Sequence, residues 1–320
     1  MRKVIIRADA SVEIGSGHII RCLTVAKNLR DNGCDVKFWM EPLQGNLIDY
    51  VAAEGFYNIV EAEQANLYII DHYKIDENWE RDIRAFTTNI MIIDDLANRP
   101  HDCDLLLDQN VVANFKKRYN GLVPTHCVKL LGPKYLMMRD EFIEARANIR
   151  ERNKQVERLL VFMGGSDPTN ETMKVLEALT SFKFEHIDVV VGISNVYKEQ
   201  IEETCAQRGY HFHCQINYMA RLMKEADFAL GAGGATTWER CYVGLPSSAT
   251  IVADNQMVTT KYAHELGAVI NLGWHGQVTA DTYKQLLNNL HIQQVGNKGL
   301  ELTANKHPNA WLRKILELMK

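Results

Sequence analysis

Short apolar runs, rich in β-branched residues and closed by glycine or aspartate, alternate along this chain with stretches of helical period. That rhythm of strand, turn and helix is the signature of βαβ units and predicts parallel sheets. In the first half the strand candidates are KVIIRA, VKFWM, LYIIDHY, IMIIDD and DLLLD. In the second half they are RLLVFMGGSD, HIDVVVG, YHFHCQI, DFALGAGG, SSATIVAD and AVINLG. After the first strand, Ile19, Leu23, Ala26 and Leu29 recur at spacings of four and three and share one helical face, and Asn32-Gly33 supplies a stop. DENWERDIRAF opens on acidic residues suited to a helix N-terminus.

The rhythm lapses once, over residues 143–157, where IEARANIRERNKQVE is rich in charge and good helix formers. A chain of 320 residues also exceeds one comfortable core. The expected organisation is a Rossmann-like domain over 1–142, a linker helix over 143–157 and a second Rossmann-like domain over 158–304. A C-terminal helix is expected within 305–320, where Trp311, Leu312, Ile315, Leu316 and Met319 fall at helical spacing. The fold class expected is α/β, two Rossmann-like parallel-sheet domains facing across a cleft. Ligands of such folds bind beyond the carboxyl ends of the strands.

Composition excludes several partners. A formal net charge of −4 without a Lys/Arg block leaves no footprint for nucleic acid or a membrane surface. The opening MRKVIIRADA has too few apolar residues for a secretory signal or a spanning helix. Seven scattered cysteines without a C-x-x-C pair argue for reduced thiols, and so for a cytoplasmic protein. The oligomeric state is left open, with a monomer as the working expectation.

Three glycine turns carry the chemistry. In GSGH, Gly15 and Gly17 permit close backbone approach, and the next helix exposes N–H groups that attract anions. The third glycine of a dinucleotide fingerprint is missing, and a plain tight turn is the alternative. His18 stands where a helix dipole favours a neutral imidazole, the form a general base needs. In FMGGSDPTNET, a strand runs into Gly164, Gly165 and Ser166. Asp167 is then the candidate N-cap, with Pro168 at the first helical position. Asn170 is grouped with this loop, and Asp167 with Glu171 puts acidic groups at the helix start. A glycine pair and a hydroxyl there can hold a diphosphate, with a plain βα turn as the alternative. In GAGGATTWER, Gly233 and Gly234 precede a helix from about Ala235 that carries Thr236 and Glu239, and Gly244-Leu245-Pro246 stops it. Glu239 can accept both hydroxyls of a ribose, although a solvated surface glutamate is the plainer reading. Asn255 and Gln256 come after the next strand with side chains that both donate and accept.

Metal sites are weakly signalled. His211 and His213 share a strand face while Cys214 points away. Asp94, Asp95, Asp102 and Asp104 could hold magnesium, but strand-end aspartates are common in α/β turns, and no metal and no cofactor is expected.

RADASVEIGSGHIIRCL, IIDDLANRPHDCDLLLDQN, LLGPKYLMMRDEF, LLVFMGGSDPTNET and GAGGATTWERCYVGLPSSATIVADNQ resemble the UDP-2,4-diacetamido-2,4,6-trideoxy-β-L-altropyranose hydrolases of pseudaminic acid biosynthesis. The likeness keeps chain order from about residue 3 to residue 275. It implies an architecture like the B-type glycosyltransferases, close to the peptidoglycan N-acetylglucosaminyltransferase. It also implies a metal-independent, inverting attack of water at the anomeric carbon. By that resemblance His18 is the base, and UDP is held by Gly164–Ser166, by Gly233–Thr236 with Glu239, and by Asn255.

The substrate partner expected is therefore a UDP-sugar. Tyr73, just past a strand end, is expected to hold the sugar or the water. Asp71 and Asp9 are similarly placed, with a cap or turn role as the plainer reading. The rivals are a UDP-sugar-dependent glycosyltransferase of the same fold, a non-catalytic UDP-sugar-binding protein, and an epimerase of related architecture.

Overall fold

A computed structural model describes residues 1–152, 155–290, 293–305 and 307–320. The chain divides into two compact units, Met1–Met138 with Asn305–Lys320, and Arg139–Ala304.

The first unit is a seven-stranded sheet of β1 (Arg2–Ala8), β2 (Cys34–Trp39), β3 (Tyr57–Ile59), β4 (Leu67–Asp71), β5 (Ile90–Ile93), β6 (Leu105–Asp108) and β7 (Val128–Leu131). Its strand order is β3-β2-β1-β4-β5-β6-β7, every pair parallel. Alternate residues of the strands feed two cores. Val4 and Ile6 pack with Ile19, Leu23, Ala26 and Leu29 of helix Gly17–Asp31, while Ile5, Tyr68, Ile70 and Ile92 pack on the opposite face. A sheet buried on both faces needs continuous apolar strands, as the sequence has. Trp311, Leu312 and Ile315 of helix Ala310–Leu318 join the first of these cores, so the end of the chain completes the unit that holds its beginning.

The second unit is a six-stranded parallel sheet of β8 (Arg158–Phe162), β9 (His186–Val191), β10 (His211–Cys214), β11 (Phe228–Ala232), β12 (Ser247–Ile251) and β13 (Ile270–Trp274), ordered β10-β9-β8-β11-β12-β13. All six of its strands fall on runs read from the sequence. In the first unit β3 and β7 were not among the expected strands. β3 is three residues long with an exposed Tyr57, and β7 begins on two exposed residues, so both lie at sheet edges without a full apolar run.

The helix read across 143–157 is shorter and earlier, Asp140–Ala147, and residues 153 and 154 lie outside the described residues. Beyond this helix, two arginines strap the chain to the second unit. Arg150 pairs with Asp227 at 2.5 Å, and Arg152 donates to the carbonyls of Met223, Ala226, Val243 and Gly244. These guanidinium groups satisfy carbonyls at the C-terminal ends of two helices, Met219–Glu225 and Ala235–Tyr242.

In each sheet the strand order reverses once, between β1 and β4 and between β8 and β11. Open α/β sheets bind ligands at such reversals, past the carboxyl ends of the strands. GSGH comes after β1, Asp71 ends β4, the Gly164–Ser166 loop comes after β8, and Gly233-Gly234 after β11.

Candidate active site

The loop after β1 is shaped by Ser11. Its carbonyl accepts from the Gly15 amide at 2.8 Å, and its hydroxyl accepts from the amides of Glu13 and Ile14 at 3.2 and 2.9 Å. Gly15 takes φ +79°, a backbone that L side chains seldom adopt, and closes the turn. Gly17 is exposed and opens the helix, with nothing within 4 Å of where a Cβ would stand. His18 is its second residue.

The register Ala8↔Asp71 sets the end of β4 beside the end of β1, directly under this turn. His18 is buried, and its Nδ1 lies 2.5 Å from Asp71 Oδ1. Asp71 is held as a carboxylate. Burial alone would raise its pKa, yet the charge and hydrogen bonds of Arg21, with the hydrogen bond of His18, outweigh burial and keep the carboxyl well below the usual range. An ionised carboxylate only accepts, so Nδ1 carries the hydrogen of that bond. In the neutral ring Nε2 is then the nitrogen with a lone pair.

Arg21, one helical turn on, forks onto the same carboxylate, Nε to Oδ2 and Nη2 to Oδ1, both at 2.5 Å. Its Nη1 reaches Asp95 at 3.3 Å, and Cys22 Sγ donates to Asp71 Oδ2 at 3.5 Å. Tyr73 packs edge-on against the His18 ring, centroids 4.6 Å apart. The structure thus brings together His18 and Tyr73, and sets the Asp71 carboxylate against the His18 and Arg21 side chains. Asp9 is spoken for elsewhere, accepting from Arg7 at 2.6 and 2.9 Å, from His72 at 3.1 Å and from the Glu41 amide at 2.8 Å. Of the acidic cluster, Asp94 accepts from Arg99, the Ala97 amide and Tyr119, and Asp102 and Asp104 are clamped by Arg84.

In the second unit Gly164 (φ +96°) turns the chain out of β8, and Ser166 is buried. The expected cap is corrected here. The boundary residue is Asn170, in the left-handed region with its Oδ1 buried and, among the described residues, without a hydrogen-bond partner, and the helix runs Glu171–Leu179. Asp167, itself at φ +39°, folds back so that its two oxygens accept from the amides of Glu171 and Thr172, both at 2.9 Å. Pro168 therefore lies before the helix, not in its first turn. Burial pushes Asp167 up to about 6, against the pull of those hydrogen bonds. With those two donors occupied, an anion here has the amides of the glycine loop. Glu171 turns inward to Lys174 and to Tyr283, whose hydroxyl donates at 3.0 Å.

After β11, Gly233 and Gly234 are required by contact and by conformation. A Cβ on Gly233 would stand 2.5 Å from Thr260 Oγ1, and Gly234 has φ +90°. Helix Ala235–Tyr242 begins there, leaving first-turn amides at Ala235 and Thr236 without intrahelical partners. Glu239, half-buried, accepts from Arg139 at 3.2 Å. Asn255 is exposed in a short helical turn, Asp254–Gln256. Arg240, unremarked in the sequence, is buried beneath the Gly233-Gly234 turn. It donates to Ala232 O at 2.9 Å and to the hydroxyls of Thr236 and Thr237 at 3.2 Å, and burial lowers its pKa to about 10. His211 and His213 share a face as expected. His213 meets Asp188 at 2.9 Å, and His211 stacks on His186. No helix among the described residues is long and apolar enough to cross a membrane.

Two parallel, doubly wound units, a seven-stranded and a six-stranded sheet, are the fold of the B-type glycosyltransferases. MurG of Acinetobacter baumannii aligns with a TM-score of 0.64 over 99% of this chain and 100% of that one, at 12% identity. In sequence the chain is similar to the UDP-2,4-diacetamido-2,4,6-trideoxy-β-L-altropyranose hydrolase of Campylobacter jejuni, 29% identical over 277 residues, which are 83% of this chain and 97% of the relative. It is also similar to the uncharacterized protein MJ1062 of Methanocaldococcus jannaschii, 27% identical over 263 residues, 76% of this chain. That match spans only about half of the archaeal protein, 54%. No protein-family model matches the chain.

Proposed function

We propose that this protein hydrolyses a UDP-linked 2,4-diacetamido-2,4,6-trideoxy-L-altrose to the free sugar and UDP, as a step of pseudaminic acid biosynthesis. The observation that carries the proposal is the His18 ring, tied at Nδ1 to Asp71 so that Nε2 is the basic atom. In the reaction, Nε2 takes a proton from water as the water oxygen bonds the anomeric carbon from the face opposite the nucleotide. The bond from that carbon to the β-phosphate oxygen breaks, and UDP leaves with the electron pair. Tyr73 beside His18 is assigned to the sugar or the water. UDP is assigned to the second unit, its diphosphate to the amides of Gly164, Gly165, Gly233, Gly234, Ala235 and Thr236 with the Ser166 hydroxyl. Donors fixed in advance of the charge they meet are the usual largest contribution to such catalysis. Glu239 is assigned to the ribose, with Asn255 and Asn170 at the rim of the nucleotide site. The similarity to the Campylobacter hydrolase supports the choice of sugar and of water as acceptor.

The test is incubation with the UDP-sugar in ¹⁸O-water and no acceptor alcohol. UDP release with label in the sugar hydroxyl is expected. Label in the UDP phosphate, or turnover only after an alcohol is added, overturns the proposal. The second outcome would favour the transferase that the fold also serves.

A further inference from the structure

His18 and Asp71 would be a simple acid–base pair were it not for a third group. The Arg21 guanidinium makes two hydrogen bonds to the carboxylate that His18 also uses, and its Nη2 stands 3.2 Å from His18 Nδ1. An aspartate alone beside an imidazole stabilises the imidazolium and raises the pH at which the ring loses its proton. A guanidinium in contact with both groups does the reverse, because it neutralises the carboxylate and repels a second cation.

We propose that Arg21 is a positioning residue that keeps His18 uncharged, by neutralising Asp71 and standing beside Nδ1, and so keeps it available as a base. The proposal rests on the assignment of His18 as the base. Among the described residues, three segments supply the charged and titratable groups that touch the ring or its partners. Helix Gly17–Asp31 supplies Arg21 and Cys22, and β4 with the turn after it supplies Asp71 and Tyr73. The loop after β5 supplies Asp95, on the far side of Arg21. Asp9, at the end of β1, is closed on Arg7 and His72. Among these, Arg21 is the one cation in contact with the His18–Asp71 pair.

The test is an NMR titration of His18 in the whole protein, its signal assigned by loss in His18→Gln, run beside the pH profile of kcat/KM. Arg21→Gln should move the His18 midpoint up by about one pH unit or more, with the acid limb of kcat/KM moving with it. Arg21→Lys, which keeps the charge and loses the fork, should return the midpoint close to the parent's. An unmoved or lowered midpoint in folded Arg21→Gln overturns the inference. Should Arg21→Gln not fold, Asp71→Asn and the double variant Arg21→Gln/Asp71→Asn decide it. Asp71→Asn should lower the midpoint and the double variant should restore it, whereas identical midpoints in the two overturn the inference. A midpoint that moves while the kinetic limb stays flat supports the role of Arg21 and counts against His18 as the base, so the two claims fail separately.

Discussion

With its Nδ1–H committed to Asp71, His18 can act as a base only through Nε2, and truncating the ring removes that route. His18→Gln should lower kcat by about 10²- to 10⁴-fold, the usual worth of a positioned base. UDP affinity, measured by calorimetry, should change less than about twofold, since the assigned diphosphate donors lie in the second unit. In the parent, kcat/KM should rise with pH through one group, and that limb should vanish in the variant. Asp71→Asn should cost about 10²-fold or more in kcat with little change in KM, because an amide can donate to Nδ1 and so favour the wrong tautomer. A variant with parental kcat would remove Asp71 from the mechanism. His18 was legible in the sequence because two glycines and a helix start flank it. Asp71 was visible only as a strand-end aspartate, since its role depends on β4 pairing with β1, and strand order is a tertiary choice that no local pattern records. Arg21 was within reach, because a residue three positions after His18 shares its helical face.

Two short elements of the second unit turn local chemistry into measurable stability. Asp167 accepts both opening amides of helix Glu171–Leu179 from a buried position. Its pKa rises from the ordinary 3.8 to about 6 on folding. Between those values the folded chain holds a proton that the unfolded chain releases, so this group's contribution to stability falls as pH rises from 3.8 to about 6 and is level above that. Asp167→Asn cannot ionise. Urea unfolding should therefore show the parent losing ground to the variant across that window, by at most about 3 kcal/mol; a constant difference would mean that the carboxyl is not perturbed. Gly233→Ala tests the other element. The added methyl meets Thr260 at 2.5 Å, which should cost about 1–3 kcal/mol of stability and weaken UDP binding, both read from thermal shifts with and without UDP. The glycine turns themselves were legible as turns, since paired glycines after an apolar strand mark a strand–helix junction. The cap was not. Asp167 and Asn170 both suit a helix start, and the choice between them was made by where the carboxylate could bury and still reach two amides.

At the scale of the whole chain the alternation of strand and helix was enough to read a twin α/β architecture, because the inner strands of both sheets are apolar along most of their length. The ownership of the last helix was not readable in that way. An apolar stripe says that a helix must be covered, not which core covers it, and helix Ala310–Leu318 lies next in sequence to the second unit while packing into the first. That placement makes a prediction about how the molecule melts. Trp311 and Ile315 are fully buried among Ile19, Leu23 and Leu29, whereas the core of the second unit is a separate cluster built around Leu159, Val189 and Leu230. Removing a buried tryptophan side chain typically costs about 3–5 kcal/mol, a large share of the roughly 5–15 kcal/mol that holds a domain. Trp311→Ala should therefore lower the melting of the first unit, seen as early proteolytic cleavage within residues 1–138. Cleavage within residues 158–290 should keep its parental threshold. Leu230→Ala should do the reverse. If Trp311→Ala instead opened the second unit first, the last helix would belong to the core beside it in sequence rather than to the one it fills here.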